Sequence, residues 1–206
     1  MTLKLDMSKA FDRVEWLFLQ RTMEMMGFCE KWISLIIACI RSASYSVLVN
    51  GEPKGNIKPP RGIRQGDLLS PYLFLICSKG LNHLLQSAAR AYLIRGFSLC
   101  HNGPWITHLF FANDSLLFYR VEMGDLQDIQ NILLIYEHAS GQQINRDKTT
   151  VFFSKAVLLE IKVAIQIFLG ATEIREYECY LGVPAMVGRN NKGSLNYIKE
   201  RVWNKL

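Results

Sequence analysis

The chain has 206 residues, enough for one large domain or two small ones with a proper core. Its 50% hydrophobic, 11% aromatic and 20% charged residues exclude disordered, collagen-like, coiled-coil and low-complexity classes. Lys and Arg number 24 against 18 Asp and Glu, a formal charge of +6 that favours an acidic partner such as nucleic acid over a cationic one. In chain order, an alternating strand over Thr2 to Asp6 comes first. Helical patterns follow over Ser8 to Met26 and Cys29 to Ser42, with Gly27 as the stop between them. Ser44 to Val49 alternates as a strand and runs into Asn50-Gly51, a strong hairpin signal, after which Glu52 to Asp67 reads as a polar stretch rich in Gly, Pro and basic residues. Ser70-Pro71 opens a helix to about Arg90, with Ser able to cap it and Pro suited to a first turn whose amides have no helical partner. Two apolar β runs between Trp105 and Tyr119 flank Asn113-Asp114 at a tight hairpin tip. A helix from Leu126 to Ala139 stops before Gly141, a strand covers Thr149 to Phe153, and a helix covers Ala156 to Leu169. Tyr180 to Pro184 reads as a turn or short hairpin, and a basic helix starts near Leu195. Strands mixed with helices packed on one face predict an α+β domain.

The five cysteines (Cys29, Cys39, Cys77, Cys100, Cys179) are odd in number and lack C-x-x-C spacing or a nearby paired His, against a disulfide framework or a zinc site. Cys39, Cys77 and Cys100 sit in or beside apolar runs and read as buried, reduced core thiols of an intracellular protein. The start, MTLKLDMSKAFD, lacks a signal peptide's apolar stretch, and runs such as Ile33 to Ile40 are too short to span a bilayer, so a soluble chain with no membrane partner is expected. No lysine-rich run reads as a nuclear signal, which leaves localisation between nucleus and cytoplasm open. The four histidines show no metal-ligand spacing, and Trp16, Trp32, Trp105 and Trp203 read as core or interface residues.

Asp6 ends a strand and Asp114 stands at a hairpin tip, both where an apolar run stops and the backbone turns. Strand ends of this kind can aim two carboxylates at one point. Phosphoryl transfer uses that arrangement, with hard oxygen ligands holding two Mg²⁺ ions about 3.5–4 Å apart. The plainer alternative, favoured by spacing alone, is that each Asp caps a helix or turn.

LKLDMSKAFDRVEW, RGIRQGDLLSPYLFLIC, HLFFANDSLLFY, SGQQINRDKTTVFFS and YLGVP resemble, in this order, the palm motifs of reverse transcriptases from non-LTR (LINE-type) retrotransposons, particularly plant ones, over about Leu3 to Lys192. The resemblance implies a palm with an antiparallel sheet and packed helices over residues 1–192, without fingers and with most of the thumb missing, 193–206 beginning a thumb or connection helix. It implies two-metal RNA-directed DNA synthesis with Mg²⁺ or Mn²⁺, an RNA template, a DNA primer and deoxynucleoside triphosphates as partners, and the missing fingers or endonuclease segments possible in trans. By position, Asp6 and Asp114 match metal-ligating carboxylates. Phe11 matches an aromatic gate under the incoming sugar, which by sterics disfavours a 2′-hydroxyl; it equally fits a helix face with Val14 and Phe18. Arg61, Gly62, Arg64, Gln65 and Gly66 match the loop that positions template and nucleotide: arginines for phosphates, glycines for a close approach to the base pair, Gln for an amide contact. The family usually has Pro at the position of Leu68. Lys148 matches a lysine that acts as general acid toward pyrophosphate or neutralises it, and is otherwise a surface Lys. Tyr180, Leu181 and Gly182 match the turn that grips the primer, which a hairpin packed on the core would also satisfy.

At Phe111-Ala112-Asn113-Asp114 the family carries adjacent Asp residues, and Asn113 stands in place of the first. Asn keeps a carbonyl oxygen but loses a full negative charge beside two dications, which predicts weakened metal binding and severely reduced or absent activity. Three alternatives follow: an active polymerase fragment, a non-catalytic palm that binds nucleic acid with strong salt dependence, and a transposon remnant without a role. Absent fingers would expose an apolar surface and promote association.

Overall fold

A computed structural model describes residues 1–101, 103–111, 114–154, 156–174 and 203. Strand β1 (Thr2–Leu5) alternates as read, sending Leu3 and Leu5 into the core. The helix expected from Ser8 is displaced. Met7–Ser8 form a short strand, β2, and Lys9 takes a left-handed backbone (φ +49°) that closes a turn with the Asp12 N–H on the Lys9 carbonyl at 3.0 Å. Helix α1 therefore starts only at Trp16 and runs to Met25. Gly27 (φ +83°) ends it as read, with the Gly27 N–H on Glu24 O (3.0 Å) and the Phe28 N–H on Met23 O (3.1 Å) satisfying the last carbonyls. Helix α2 (Glu30–Arg41) buries Ile33, Ile36 and Ile37, one face at helical spacing.

Strands β3 (Tyr45–Val49) and β4 (Glu52–Ile57) form the hairpin signalled by Asn50-Gly51, whose φ values of +52° and +85° suit a two-residue turn matching the strand twist. That turn folds part of the expected polar stretch back as a strand. Every residue of β3 and β4 is exposed. In α3 (Ser70–Arg90) Pro71 lies in the first turn as expected, but Ser70 is a buried helical residue rather than the cap. The N-cap position falls on Leu69, which caps no amide with its side chain, and Asp67 Oδ1 accepts the Leu69 N–H at 2.8 Å just before the helix.

Short strands β5 (Phe97–Ser98) and β6 (Trp105–Ile106) pair with each other. Strands β7 (His108–Phe111) and β8 (Asp114–Phe118) form the expected hairpin. Helix α4 (Met123–Ser140) ends at left-handed Gly141 (φ +73°). Beyond it, β9 (Gln143–Ile144) pairs with β2, residues Arg146–Lys148 make a 3-10 turn, and β10 (Thr150–Phe152) follows. Helix α5 (Leu159–Leu169) crosses to β11 (Thr172–Glu173), which joins parallel to β10.

The main sheet has the order β11-β10-β1-β8-β7, antiparallel except at β10–β11. One core joins its buried face (Leu3, Leu5, Leu117, Val151) to Leu19 and Met23 of α1, Phe74 and Cys77 of α3, and Leu126, Ile129 and Tyr136 of α4. This is the α+β arrangement expected, with helices on one side of a largely antiparallel sheet. Two of the three thiols expected in the core are not there: Cys77 is buried, but Cys39 lies off the buried face of α2 and is exposed, as are Cys100 and Cys29. Trp32, Trp105 and Trp203 are exposed as well. No described helix is long and apolar enough to cross a membrane. The Tyr180 to Pro184 turn and the helix expected from Leu195 lie outside the described residues, Trp203 apart.

Candidate active site

Strands β1 and β8 pair Lys4 with Leu116 and Leu5 with Ser115. The paired register ends at Leu5 opposite Ser115, and Asp6 and Asp114 are the next residues along the two strands. Leu3, Leu5, Ser115 and Leu117 are buried on one face, so the alternation of side chains brings the two carboxylates out on the other, both half-buried. Neighbouring anionic oxygen donors repel each other, and a hard divalent cation relieves that repulsion, so the donor set fits Mg²⁺ or Mn²⁺. Among the described residues no cluster of three or more His, Cys, Asp or Glu gathers. Asn113 lies outside them, as do Tyr180, Leu181 and Gly182.

The end of β1 is held by the Asp6 carbonyl, which accepts the Asn145 N–H at 2.8 Å and so brings the 3-10 turn Arg146–Lys148 beside the carboxylate strand. Lys148 is exposed there, its own N–H donating to Asn145 O at 3.2 Å.

Phe11 occupies the turn between β2 and α1, so the helix face expected with Val14 and Phe18 does not form. Its half-buried ring stacks on Phe74 of α3, centroids 4.9 Å apart. The loop Arg61 to Gly66 is docked on this same turn. The Ile63 N–H donates to Phe11 O (2.9 Å), the Gly62 N–H to Val14 O (2.8 Å), and the Trp16 indole N–H to Gly62 O (2.7 Å). Gly62 has φ +94°, and a Cβ there would stand 2.6 Å from Asp12 O. Its close approach in this structure is thus to protein backbone. Gly66 (φ +89°) faces open space, and Gln65 is exposed. Arg61 pairs with Glu15 at 3.1 Å, and the Arg64 guanidinium lies 6.0 Å from the centroid of the Tyr45 ring, both arginines exposed.

Sequence reasoning missed Gln142, which is 1% exposed. Its Nε2 donates to the Ala10 carbonyl at 2.8 Å, its Oε1 accepts the Tyr136 hydroxyl, and its N–H donates to Ser140 Oγ at 3.1 Å. Burial holds the Tyr136 phenol well above the ordinary tyrosine range, so it stays a neutral donor. Next to it the Ser140 carbonyl accepts the Glu15 N–H (2.8 Å), and Gly141 leaves no room for a Cβ, which would stand 2.6 Å from Arg13 O. The C-terminal end of α4 thus grips both ends of the turn that carries Phe11. The only sequence sign was an unremarkable Gln beside a helix-ending Gly.

The structure therefore ties the turn bearing Lys148 to Asp6 and docks the Arg61–Gly66 loop on the Phe11 turn. A cavity of about 770 Å³ lies elsewhere, between the end of α3 and strands β6 and β7.

A family model described as reverse transcriptase (RNA-dependent DNA polymerase) matches residues 1–185. The chain is 30% identical over 145 residues to the Pol polyprotein of the type-2 retrotransposable element R2DM of Drosophila melanogaster, covering 70% of this chain and 13% of that protein. It is 35% identical over 148 residues to the corresponding polyprotein of the type-1 element R2 of Popillia japonica, covering 70% of this chain and 23% of that one. An uncharacterized mitochondrial protein of Arabidopsis thaliana is 44% identical over 68 residues, 33% of this chain and 56% of that protein. The chain thus spans little more than half of the Arabidopsis protein and under a quarter of the two polyproteins. Among solved structures, telomerase from Candida albicans aligns with TM-score 0.53 at 18% identity, over 76% of this chain and 27% of that one, a likeness of fold.

Proposed function

Because this chain belongs to the reverse transcriptase (RNA-dependent DNA polymerase) family, with retrotransposon relatives that bear out the non-LTR resemblance of its motifs, we propose that its palm is built for template-directed nucleotidyl transfer and is silenced at residue 113. The observation that carries the reading is that Asp6 and Asp114, both half-buried, follow directly on the Leu5–Ser115 pair at one end of the β1–β8 ladder. A divalent cation held by these carboxylates would stabilise the attacking 3′-oxygen and the departing pyrophosphate. The rest falls to the chain's own side chains. Phe11, backed by Phe74, supplies a rigid ring against which a 2′-hydroxyl on the incoming sugar would clash. Arg61 and Arg64 offer exposed cations for phosphates, Gln65 and Gly66 an exposed amide and an open backbone for the templating base pair. Lys148, on the turn tied to Asp6, neutralises or protonates pyrophosphate. Tyr180 to Gly182 would hold the primer. RNA template, DNA primer and deoxynucleoside triphosphates are the partners this chemistry requires.

Asn113 favours a second reading, a palm that binds nucleic acid without turnover. Losing one carboxylate beside the cation removes charge where the reaction most needs it. The test is primer extension on an RNA template with Mg²⁺ or Mn²⁺, comparing the natural chain with Asn113→Asp, alone and combined with Asp6→Asn. We expect Asn113→Asp to extend faster by about tenfold or more, the equivalent of ~1.4 kcal/mol in the barrier, and Asp6→Asn to abolish the gain. Equal rates for the natural chain and Asn113→Asp would refute silencing at 113. Extension that survives Asp6→Asn would refute the carboxylate pair.

A further inference from the structure

The cavity of about 770 Å³ lies about 7 Å along β7 from Phe111, the residue paired with Asp114. It is lined by Tyr92, Trp105, Arg90 and Arg95, with the Asn82 and Gln86 amides on its helical wall. Tyr92 and Trp105 are 76% and 65% exposed. Among the described residues neither arginine guanidinium has an ion-pair partner. Asp125, beside this groove, is already committed: it accepts the Arg95 backbone N–H at 3.4 Å and lies 3.6 Å from the Arg120 guanidinium.

Tyr92 is in the wrong place for stability alone. Helix α3 ends with the Tyr92 N–H on Ala89 O (3.1 Å) and the Leu93 N–H on Ala88 O (3.0 Å), a closure that needs a left-handed residue at position 92. Glycine fills that position at no cost, yet a tyrosine holds it at φ +59° with its ring in solvent. The groove floor is tight, since a Cβ on Gly96 would stand 1.9 Å from Ile106 O, so Trp105 is carried by a short strand pair closed at its base. His108 is locked between Thr107 Oγ1 and Asn82 Oδ1, both 2.9 Å away, and adds no charge-seeking group of its own.

We propose that this groove binds single-stranded nucleic acid, with bases stacked on Tyr92 and Trp105 and phosphates met by Arg90 and Arg95. Exposed aromatics interleaved with unpaired arginines fit flat π-faces joined by anions, which a peptide strand or an apolar helix would not supply. A volume of this size admits a few nucleotides rather than a duplex. The site is separate from the carboxylate pair and does not depend on the catalytic reading.

The test measures fluorescence anisotropy of a labelled 12-nucleotide single-stranded RNA, and of the DNA of the same sequence, with the full chain across a salt series. Tyr92→Gly is the informative variant, because it should relax the helix end and raise Tm while weakening affinity about tenfold or more, the effect of losing one stacked base. Trp105→Ala should weaken binding comparably. Arg90→Gln with Arg95→Gln should lower the slope of log Kd against log salt by about 1.4, two phosphate contacts at ~0.7 each. A Tyr92→Gly chain that binds within twofold of the natural one, with an unchanged salt slope for the arginine pair, overturns the groove. So does loss of all binding in Arg61→Ala with Arg64→Ala, which would place the strand on the palm loop and leave the catalytic reading intact. A natural chain that binds neither oligonucleotide at low salt also overturns it.

Discussion

Replacing Gln142 by Leu keeps the volume of a buried side chain but leaves the Ala10 carbonyl and the Tyr136 hydroxyl without their partner. Each orphaned group costs about 1–3 kcal/mol, so Gln142→Leu should destabilise the fold on the order of 2–6 kcal/mol, read as a lower urea midpoint at unchanged m. Cys77 allows a test of burial. Its thiol is pushed up to about 12 by desolvation, whereas Cys29, Cys39 and Cys100 are exposed. With a thiol reagent at pH 8, those three should react at once and Cys77 only as the chain unfolds; a Cys77 that reacts in the native state would contradict the packing of α3. The strand edges at Asp6 and Asp114 were legible because each residue stands where an apolar run meets a turn. Gln142 and the exposure of Cys39 and Cys100 were not, since neither an amide's partners nor the outward side of an apolar run is written in local pattern.

At the level of elements, the loop Arg61 to Gly66 contains two left-handed glycines in different surroundings. Gly66→Ala meets open space and should cost about 1–2 kcal/mol, the left-handed penalty. Gly62→Ala carries the same penalty and also drives a Cβ into the Asp12 backbone, so it should cost measurably more and loosen the docking of the loop on the Phe11 turn. Equal losses in urea midpoint for the two variants would show that the loop is not seated on that turn. Helices α2, α4 and α5 were legible from apolar spacing and glycine stops, because those signals act within a few residues. The start of α1 was misread because Met7 and Ser8 are drawn into a strand by Gln143 and Ile144, over a hundred residues along the chain. The two-residue strands β5, β9 and β11 were invisible for the same reason.

For the molecule as a whole, buried ionisable groups define a pH window. Cys77, Tyr119 and Tyr136 are all raised by desolvation, so their neutral forms are favoured in the fold. The stability they contribute is full below the unfolded values near 9 and 10 and is lost as pH rises toward the folded ones. His108 is lowered by burial, which has the opposite sense: its contribution is present above its ordinary value of 6.5 and is lost as pH falls below it. Tm should therefore be highest between about pH 6.5 and 9 and fall on both sides; a Tm unchanged from pH 7 to 10.5 would mean that these side chains are not held in the core. The ordered motifs along the chain were enough to indicate its family and the α+β class, because residue types at turns and apolar periods are local properties. Which strand ends come together beside Asp6 and Asp114, which thiol is sheltered, what anchors the Phe11 turn and where a groove of aromatics and arginines opens were decided by strand register and helix packing. Those pairings join residues far apart in the chain, and their geometry comes into being only when the sheet closes over its helices.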